Sequence, residues 1–311
     1  MSAVALFSRS LRGSVSSIGE DALIRSIRRW LGKASPRPPA GIGDDCAVIR
    51  PARGRELLTV DPVVHGVHFD GRVPPREVGA KLFKRNLSDI AAMGGRPRAA
   101  VVALALDGRV SLAWLAEFYK GLARESRRHA VPVVGGDVAR LGGSLVATLA
   151  MTGEAVGRVL TRAGSRAGDW IYVTGTLGRS LATGHHHDFE PRLAEGAWLA
   201  GRGEVRAMMD VSDGLAKDLG AMTPRGSAPA LLGAMLPRRA KASVREALCD
   251  GEDYELVFSV ASGAGRKSLE KAWSRAFPRT RLTCIGWFAR AGAVPPDALN
   301  LGDYRGYEHL R

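Results

Sequence analysis

The run AAVVALAL at 99–106, followed by LAWLAEFYKGLARESR at 112–127, VPVV at 131–134, GGD at 135–137 and LVATLAM at 145–151, decides the fold class. Short apolar runs bounded by turn residues read as buried strands. Between them Trp114, Phe118 and Leu122 recur at helical spacing, an aromatic stripe that belongs to a core rather than to a cofactor box. Strand, helix and strand in alternation predict α/β layering, with Gly135-Gly136-Asp137 as a turn.

Upstream, Pro74 and Pro75 open a helix with Val78, Leu82, Phe83, Leu87 and Ile90 on its apolar side and Gly94-Gly95 at its end. Asn86 and Asp89 share another side at i, i+3; Asn86 and Ser88 read equally as donors supporting Asp89 or as packing groups. Before this helix, LLTV at 57–60 runs as a strand into Asp61, and GIGDD at 41–45 leads into an apolar stretch, Cys46 to Ile49. Ser17 and Glu20 form a capping-box pattern ahead of Leu23, Ile27 and Trp30, so ordered structure is expected to begin there. Residues 1–15 hold Arg9, Arg12 and four serines with no acid, the composition of a flexible extension or an over-called start.

Downstream, glycines and arginines replace strands near Gly157, and WIYVT at 170–174 starts a second cycle. It continues through the polar segment 184–192, an alanine-rich helix, a strand ending at Met209-Asp210, a turn at Asp213-Gly214 into a helix, a strand at 254–260, a helix at about 262–276 and a strand at 282–288. The expected organisation is an N-terminal domain over 16–156 and a C-terminal α/β domain over 157–311. A chain of 311 residues suits two cores.

The chain is 45% apolar and 24% charged, a globular balance, and a net charge of +14 favours anionic partners. The arginines are spread over the whole length and aromatics are only 6%, so nucleic acid is the weaker reading. Cys46, Cys249 and Cys284 lack the spacing of a zinc or redox pair, which fits a reduced, cytoplasmic setting. No apolar run reaches the ~18 residues of a membrane span.

Carboxylates recur where strands end or glycine turns begin: Asp44, Asp45, Asp61, Asp137, Asp210, Asp213 and Asp253. Any one of them alone reads as a turn cap. Together they suggest carboxylates that converge and need cations, and aspartate oxygens without neighbouring His or Cys suit Mg²⁺ rather than Zn²⁺. Gly41-x-Gly43, Gly94-Gly95 and Gly135-Gly136 allow main-chain N–H groups to approach phosphate. The P-loop, the dinucleotide fingerprint and the protein-kinase catalytic loop are absent from the sequence. His185-His186-His187 cannot share one helix face and reads as a solvated loop or helix start.

Seven strings in order, GIGDDCAV at 41–48, TVDPVVHGVHF at 59–69, NLSDIAAMGGRP at 86–97, GGDVAR at 135–140, LTRAGSRAGDWIYVTGTLG at 160–178, DVSDGLAKDLG at 210–220 and GEDYELVF at 251–258, resemble the thiamine-monophosphate kinase family. The wider superfamily includes aminoimidazole ribonucleotide synthetase and selenophosphate synthetase; DVSDGL with GEDYEL points to the thiamine enzymes. The resemblance implies an α/β (α+β), two-domain aminoimidazole ribonucleotide synthetase-like fold, a homodimer whose N-terminal sheets pair, and transfer of phosphate from ATP to thiamine monophosphate.

Carried over by position, the resemblance implies metal ligation by Asp45, Thr59, Asp61, Asp89, Asp137, Asp210 and Asp213, of which Asp137, Asp210 and Asp213 are central to catalysis. It implies ATP contacts at Gly135, Gly136, Arg162 and Ser212, and thiamine-substrate contacts at His68, Glu252 and Tyr304, the last in the loosely matching context GDYRGYEHL. Four departures stand out. Val60 replaces a hydroxyl residue, so a metal contact there must use its carbonyl; His65 stands for Glu, Val138-Ala139 for a Thr pair, and Arg179 for Asp.

Two other readings remain open. Another ATP-using superfamily member is one, although a selenophosphate synthetase needs a reactive N-terminal Cys and Cys46 sits in an apolar stretch. The other is a non-catalytic or nucleic-acid-binding homologue.

Overall fold

The computed structural model describes residues 4–43 and 46–308. The chain forms two compact units, Met1–Ile90 with Arg96–Glu154, and Ala91–Gly95 with Ala155–Arg311.

The first unit contains helix α1 (Glu20–Leu31), strand β1 (Glu56–Val64), helix α2 (Pro75–Ala92, in this unit through Ile90), strand β2 (Gly95–Leu106), helix α3 (Leu112–Arg128), and strands β3 (Val133–Arg140) and β4 (Leu145–Ala155). The sheet order is β1-β4-β2-β3. Strands β2 and β3 are parallel and joined by α3, the crossover unit that the alternation predicts. Strands β1 and β4 are antiparallel, with Thr59 opposite Met151 and Asp61 opposite Leu149. Because side chains alternate, Thr59, Asp61 and Val63 share the face of the buried Leu149 and Met151, while Leu58 and Val60 point to the opposite, exposed face.

Several local expectations change. Gly135-Gly136-Asp137 is not a turn: it lies inside β3, with Val101, Val102 and Ala103 of β2 as its partners. A Cβ on Gly136 would stand 2.0 Å from the Val102 carbonyl, so glycine is what lets the two strands approach. Pro62 lies within β1, where its missing N–H is tolerated because β1 is an edge strand.

The apolar stretch Cys46–Ile49 forms no strand; Cys46, Val48 and Ile49 are exposed. Helix α2 is buried nearly all round, Lys81, Lys84 and Arg85 included, instead of showing one apolar side. Asn86 donates to the Leu82 carbonyl at 3.0 Å, an in-helix role.

The capping box expected at Ser17 and Glu20 does not form. The chain enters α1 through Gly19 at φ 72°, and Ser17 turns back to the Ser14 carbonyl at 2.6 Å. A capping box forms instead at Ser243 and Glu246. Part of the stretch expected to be a flexible extension is held by main-chain bonds: Ser8 N–H donates to Arg109 O at 2.8 Å, Ser111 N–H to Leu6 O at 2.7 Å, and Val15 is buried.

The second unit contains β5 (Trp170–Thr174), α4 (Ser180–Thr183), α5 (His185–Asp188), α6 (Leu193–Ala200), β6 (Val205–Asp210), α7 (Leu215–Met222), β7 (Ser227–Leu231), α8 (Val244–Cys249), β8 (Leu256–Val260), α9 (Arg266–Ala276) and β9 (Leu282–Arg290). Its sheet runs β6-β8-β5-β9-β7, antiparallel at every pairing. The cycle of strands and helices therefore makes an α+β layer and not a parallel sheet. Edge strand β7, with Pro229 in it, carried no clear sequence signal.

Both faces of this sheet are covered. Ile171, Val173, Ala207, Met209 and Val257 pack with Leu215 and Leu219 of α7 and Leu248 of α8, whereas Tyr172, Met208 and Phe258 pack with Leu199 of α6 and Trp273 of α9. Two buried faces explain why these strands read as continuous apolar runs.

Candidate active site

In the first unit, Thr59 on β1 donates its hydroxyl to the carboxylate of Asp89 on α2, in a short hydrogen bond. Two residues on, the Asp61 carboxylate accepts from Arg85 at 3.3 Å, and the same guanidinium donates to the Pro62 carbonyl at 2.8 Å. Strand β1 and helix α2 thus gather Thr59, Asp61 and Asp89 on one face. The Val60 side chain points away from them, to the exposed face. Asp45 lies outside the described residues.

At the other edge of the same sheet, Gly135, Gly136, Asp137 and Val138 line a cavity of about 270 Å³, near the lower end of the range for small-ligand pockets. Its other walls are Glu20, Gly43, Val102, Val133 and the apolar side chains of Ile24, Ile27, Leu31 and Ile42. Tyr119 of α3 also faces it, and burial pushes the Tyr119 hydroxyl well above its usual pKa, so it stays protonated. Nothing in the sequence marks Tyr119 beyond its place beside Phe118 in the aromatic stretch of this helix.

His68 sits in a tight loop after β1. Its Nδ1 accepts the Val64 N–H at 3.2 Å, so a neutral ring carries its proton on Nε2, and Lys81 holds the His68 carbonyl at 2.8 Å. His65 stands edge-on to Phe7, with ring centroids 5.9 Å apart, in place of an acidic side chain.

In the second unit, β6 ends at buried Asp210, and the turn after it carries Ser212 and Asp213. Asp218 in the first turn of α7 accepts the N–H groups of Ser212 and Asp213, each at 3.0 Å. Burial, then the neighbouring Asp210 carboxylate, push the Asp218 carboxyl up to about 7. Asp218 was legible only as one more acid within DVSDGLAKDLG.

Strand β8 runs antiparallel to β6, so the start of one meets the end of the other, with Asp210 opposite Leu256. Main-chain bonds extend this pairing into the loops: Glu252 N–H to Ser212 O at 2.7 Å, Tyr254 N–H to Val211 O and Val211 N–H to Glu255 O, both at 2.8 Å. Glu252 and Tyr254 adopt left-handed backbone angles, φ 63° and 52°, which is why β8 begins at Leu256 and not at Tyr254. These bonds hold Glu252 beside the Asp213 turn.

The histidine run is not solvated throughout. His186 is buried with Nδ1 3.6 Å from Glu252, and His185 Nε2 meets the Asp253 carbonyl at 2.9 Å. Asp253, singled out as a strand-end acid, has a structural place: it accepts from Gly178 N–H at 3.0 Å and from Arg239 at 2.9 Å. Arg179, at a left-handed residue before α4, donates its N–H to Asp250 at 2.6 Å.

Arg162 lies in a 3₁₀ turn that packs on β6 and α7, a close approach that Gly164 permits: a Cβ there would meet the Arg206 carbonyl at 2.0 Å. Tyr304 packs against the core around Leu231 and Leu248. The aromatic of this segment whose main chain meets the Asp213 turn is Tyr307, donating its N–H to Asp213 O at 2.8 Å.

Residues 43–159 match the family described as AIR synthase related protein, N-terminal domain. The thiamine-monophosphate kinase of Synechococcus elongatus is 34% identical over 294 residues, 83% of this chain and 86% of that protein. The chain belongs to the thiamine-monophosphate kinase family.

Among solved structures of the family, the enzyme from Stenotrophomonas maltophilia is 30% identical with a TM-score of 0.72, covering 88% of this chain and 95% of that one. A structure of AaThiL complexed with AMPPCP and TMP is 26% identical with a TM-score of 0.70, covering 97% and 100%. This likeness confirms the mixed α/β, two-sheet fold expected from the motifs. Among the described residues, no helix is long and apolar enough to cross a membrane.

Proposed function

We propose that the protein is a thiamine-monophosphate kinase that transfers phosphate from ATP to thiamine monophosphate, giving thiamine diphosphate and ADP. The observation that carries this is the lacing of the loop 251–255 to the turn 211–213 in one unit, joining the two motifs that mark the thiamine enzymes. It stands in a chain whose likeness to these kinases spans most of its length. A family member whose structure holds AMPPCP and TMP supports both substrates.

Asp45, Thr59, Asp61, Asp89, Asp137, Asp210 and Asp213, with the Val60 carbonyl, are the groups we assign to Mg²⁺. The donor set fits: all are oxygens, and Asp218 next to Asp210 shows carboxylate crowding that a cation would relieve. Among the described residues no three acids, histidines or cysteines form a ready-made cage. Mg²⁺ commonly takes one or two carboxylates together with phosphate oxygens and water. When bound, it supplies charge neutralisation between two anionic substrates.

The chain's own residues then bind and orient. Gly135 and Gly136 let main chain approach the nucleotide, and the cavity walled by Ile24, Ile27, Leu31 and Tyr119 is assigned to its base. Ser212 completes the ATP contacts, and Arg162 can form paired hydrogen bonds to a phosphate. We assign His68, Glu252 and Tyr304 to recognition of the thiamine substrate, a carboxylate suiting its cationic ring and an aromatic its flat face. The attacking phosphate oxygen is ionised at neutral pH, so no general base is needed and in-line positioning does the rest.

We extend the proposal to a cytoplasmic homodimer. The exposed sheet face of the first unit bears Leu58, Val60 and Val101 at 76%, 61% and 39% exposure, an apolar surface that a second copy would cover. The test of function is direct: purified protein with thiamine monophosphate, ATP and Mg²⁺ should form thiamine diphosphate and ADP in equal amounts. Absence of thiamine diphosphate would overturn the proposal.

A further inference from the structure

Lys217 has no part in the reading above, yet it joins two separate segments of the second unit. From the first turn of α7 its ammonium donates to Asp213 Oδ2 at 2.6 Å and to the Tyr307 carbonyl at 2.6 Å. Tyr307 answers with its own N–H, donated to the Asp213 carbonyl at 2.8 Å. Between these links Gly306 crosses so closely that a Cβ would stand 2.4 Å from Asp213 O and 2.7 Å from Lys217 Cβ. The carboxylate and carbonyl of one residue are thus both tied to the C-terminal segment.

We propose that Lys217 is a positioning residue that clasps residues 304–308 onto the Asp213 turn, so that one ammonium sets both the orientation of the Asp213 carboxylate and the placement of Tyr307. The proposal rests on the reading of Asp213 as a site residue. Charge alone does not account for the contact, because an i, i+4 pair with side chains 37% and 30% exposed contributes little by itself. Geometry accounts for it: two of the three ammonium donors are used at once, on acceptors from different parts of the chain. A methionine keeps the stem and loses both bonds. Arginine keeps the charge and offers several N–H donors.

The test uses the full-length protein. Amide hydrogen exchange, without substrate or metal, reads the clasp itself. Lys217→Met and Gly306→Ala should each speed exchange at Tyr307 by about tenfold or more while core strands stay protected, and Lys217→Arg should restore most of the protection. In steady state Lys217→Met should raise the Mg²⁺ concentration at half-maximal rate and the KM for thiamine monophosphate several-fold, with Lys217→Arg again rescuing.

Unchanged exchange at Tyr307 in both Lys217→Met and Gly306→Ala overturns the clasp. Faster exchange with unchanged Mg²⁺ and substrate dependence overturns the positioning role. A wild-type protein without kinase activity would overturn the functional reading instead, and the exchange result would still stand.

Discussion

One oxygen of Asp218 accepts the main-chain N–H groups of both Ser212 and Asp213, each at 3.0 Å, so a buried carboxyl shapes the turn that carries the candidate ligands. That carboxyl lies beside Asp210, and its pKa is pushed up to about 7 from an ordinary value of 3.8.

The sign of the pH effect follows. In the metal-free protein the folded state binds a proton that the unfolded state has released, so the stabilisation is complete below about pH 4 and lost as pH rises through about 7. Denaturant midpoints in EDTA should fall over this window, with Asp218 responsible for on the order of 4 kcal/mol. Asp218→Asn should flatten the slope, and added Mg²⁺ should stabilise wild type more at pH 8 than at pH 6. Equal slopes for wild type and Asp218→Asn would refute this.

Gly135 and Gly136 should differ sharply. A Cβ at 136 meets the Val102 carbonyl at 2.0 Å, whereas one at 135 meets only Val101 Cγ1 at 3.3 Å. Gly136→Ala must separate β3 from β2, a cost of roughly 2–3 kcal/mol, and should weaken ATP binding at least tenfold. Gly135→Ala should leave the thermal midpoint within about 2 °C of wild type. Calorimetry with nucleotide titration checks both.

The hydroxyl of Thr59 on β1 reaches Asp89 on α2 in a half-buried position of the first unit. Thr59→Val keeps the shape and removes that donor, so it should cost about 1 kcal/mol of stability and lower kcat by an order of magnitude or more. Thr59→Ser should behave close to wild type. Activity of Thr59→Val equal to wild type would remove Thr59 from the site.

Val60 faces outward at 61% exposure on the same sheet face as Leu58. If a second copy covers this face, Val60→Asp buries an unpaired charge, and sedimentation should show a monomer where wild type is a dimer. Wild type sedimenting as a monomer would rule the dimer out.

Much of the architecture was legible in the sequence because it is local. Apolar runs at 99–106 and 170–174, the helix after Pro75, and the order of the aspartate motifs fix where strands and helices lie and which family they resemble. What period and turn residues cannot reveal is pairing. Gly135-Gly136-Asp137 reads as a turn until β2 is found 2.0 Å from where a side chain would begin, and the second cycle reads only as strands alternating with helices until β8 is seen running against β6. The failed cap at Ser17 has a similar cause, a left-handed glycine chosen by the path of the chain and not by the helix.

For the site, the sequence by itself determined the chemical inventory: aspartate oxygens, close-approach glycines and one phosphate-type arginine. Only the tertiary structure decided which groups meet. Thr59 finds Asp89 thirty positions away, Glu252 is held against Ser212, and Lys217 gathers Asp213 and Tyr307. The physical reason is that hydrogen bonds and ion pairs act over a few ångströms, and the distances that matter here are set by strand register and helix packing, which no local pattern records.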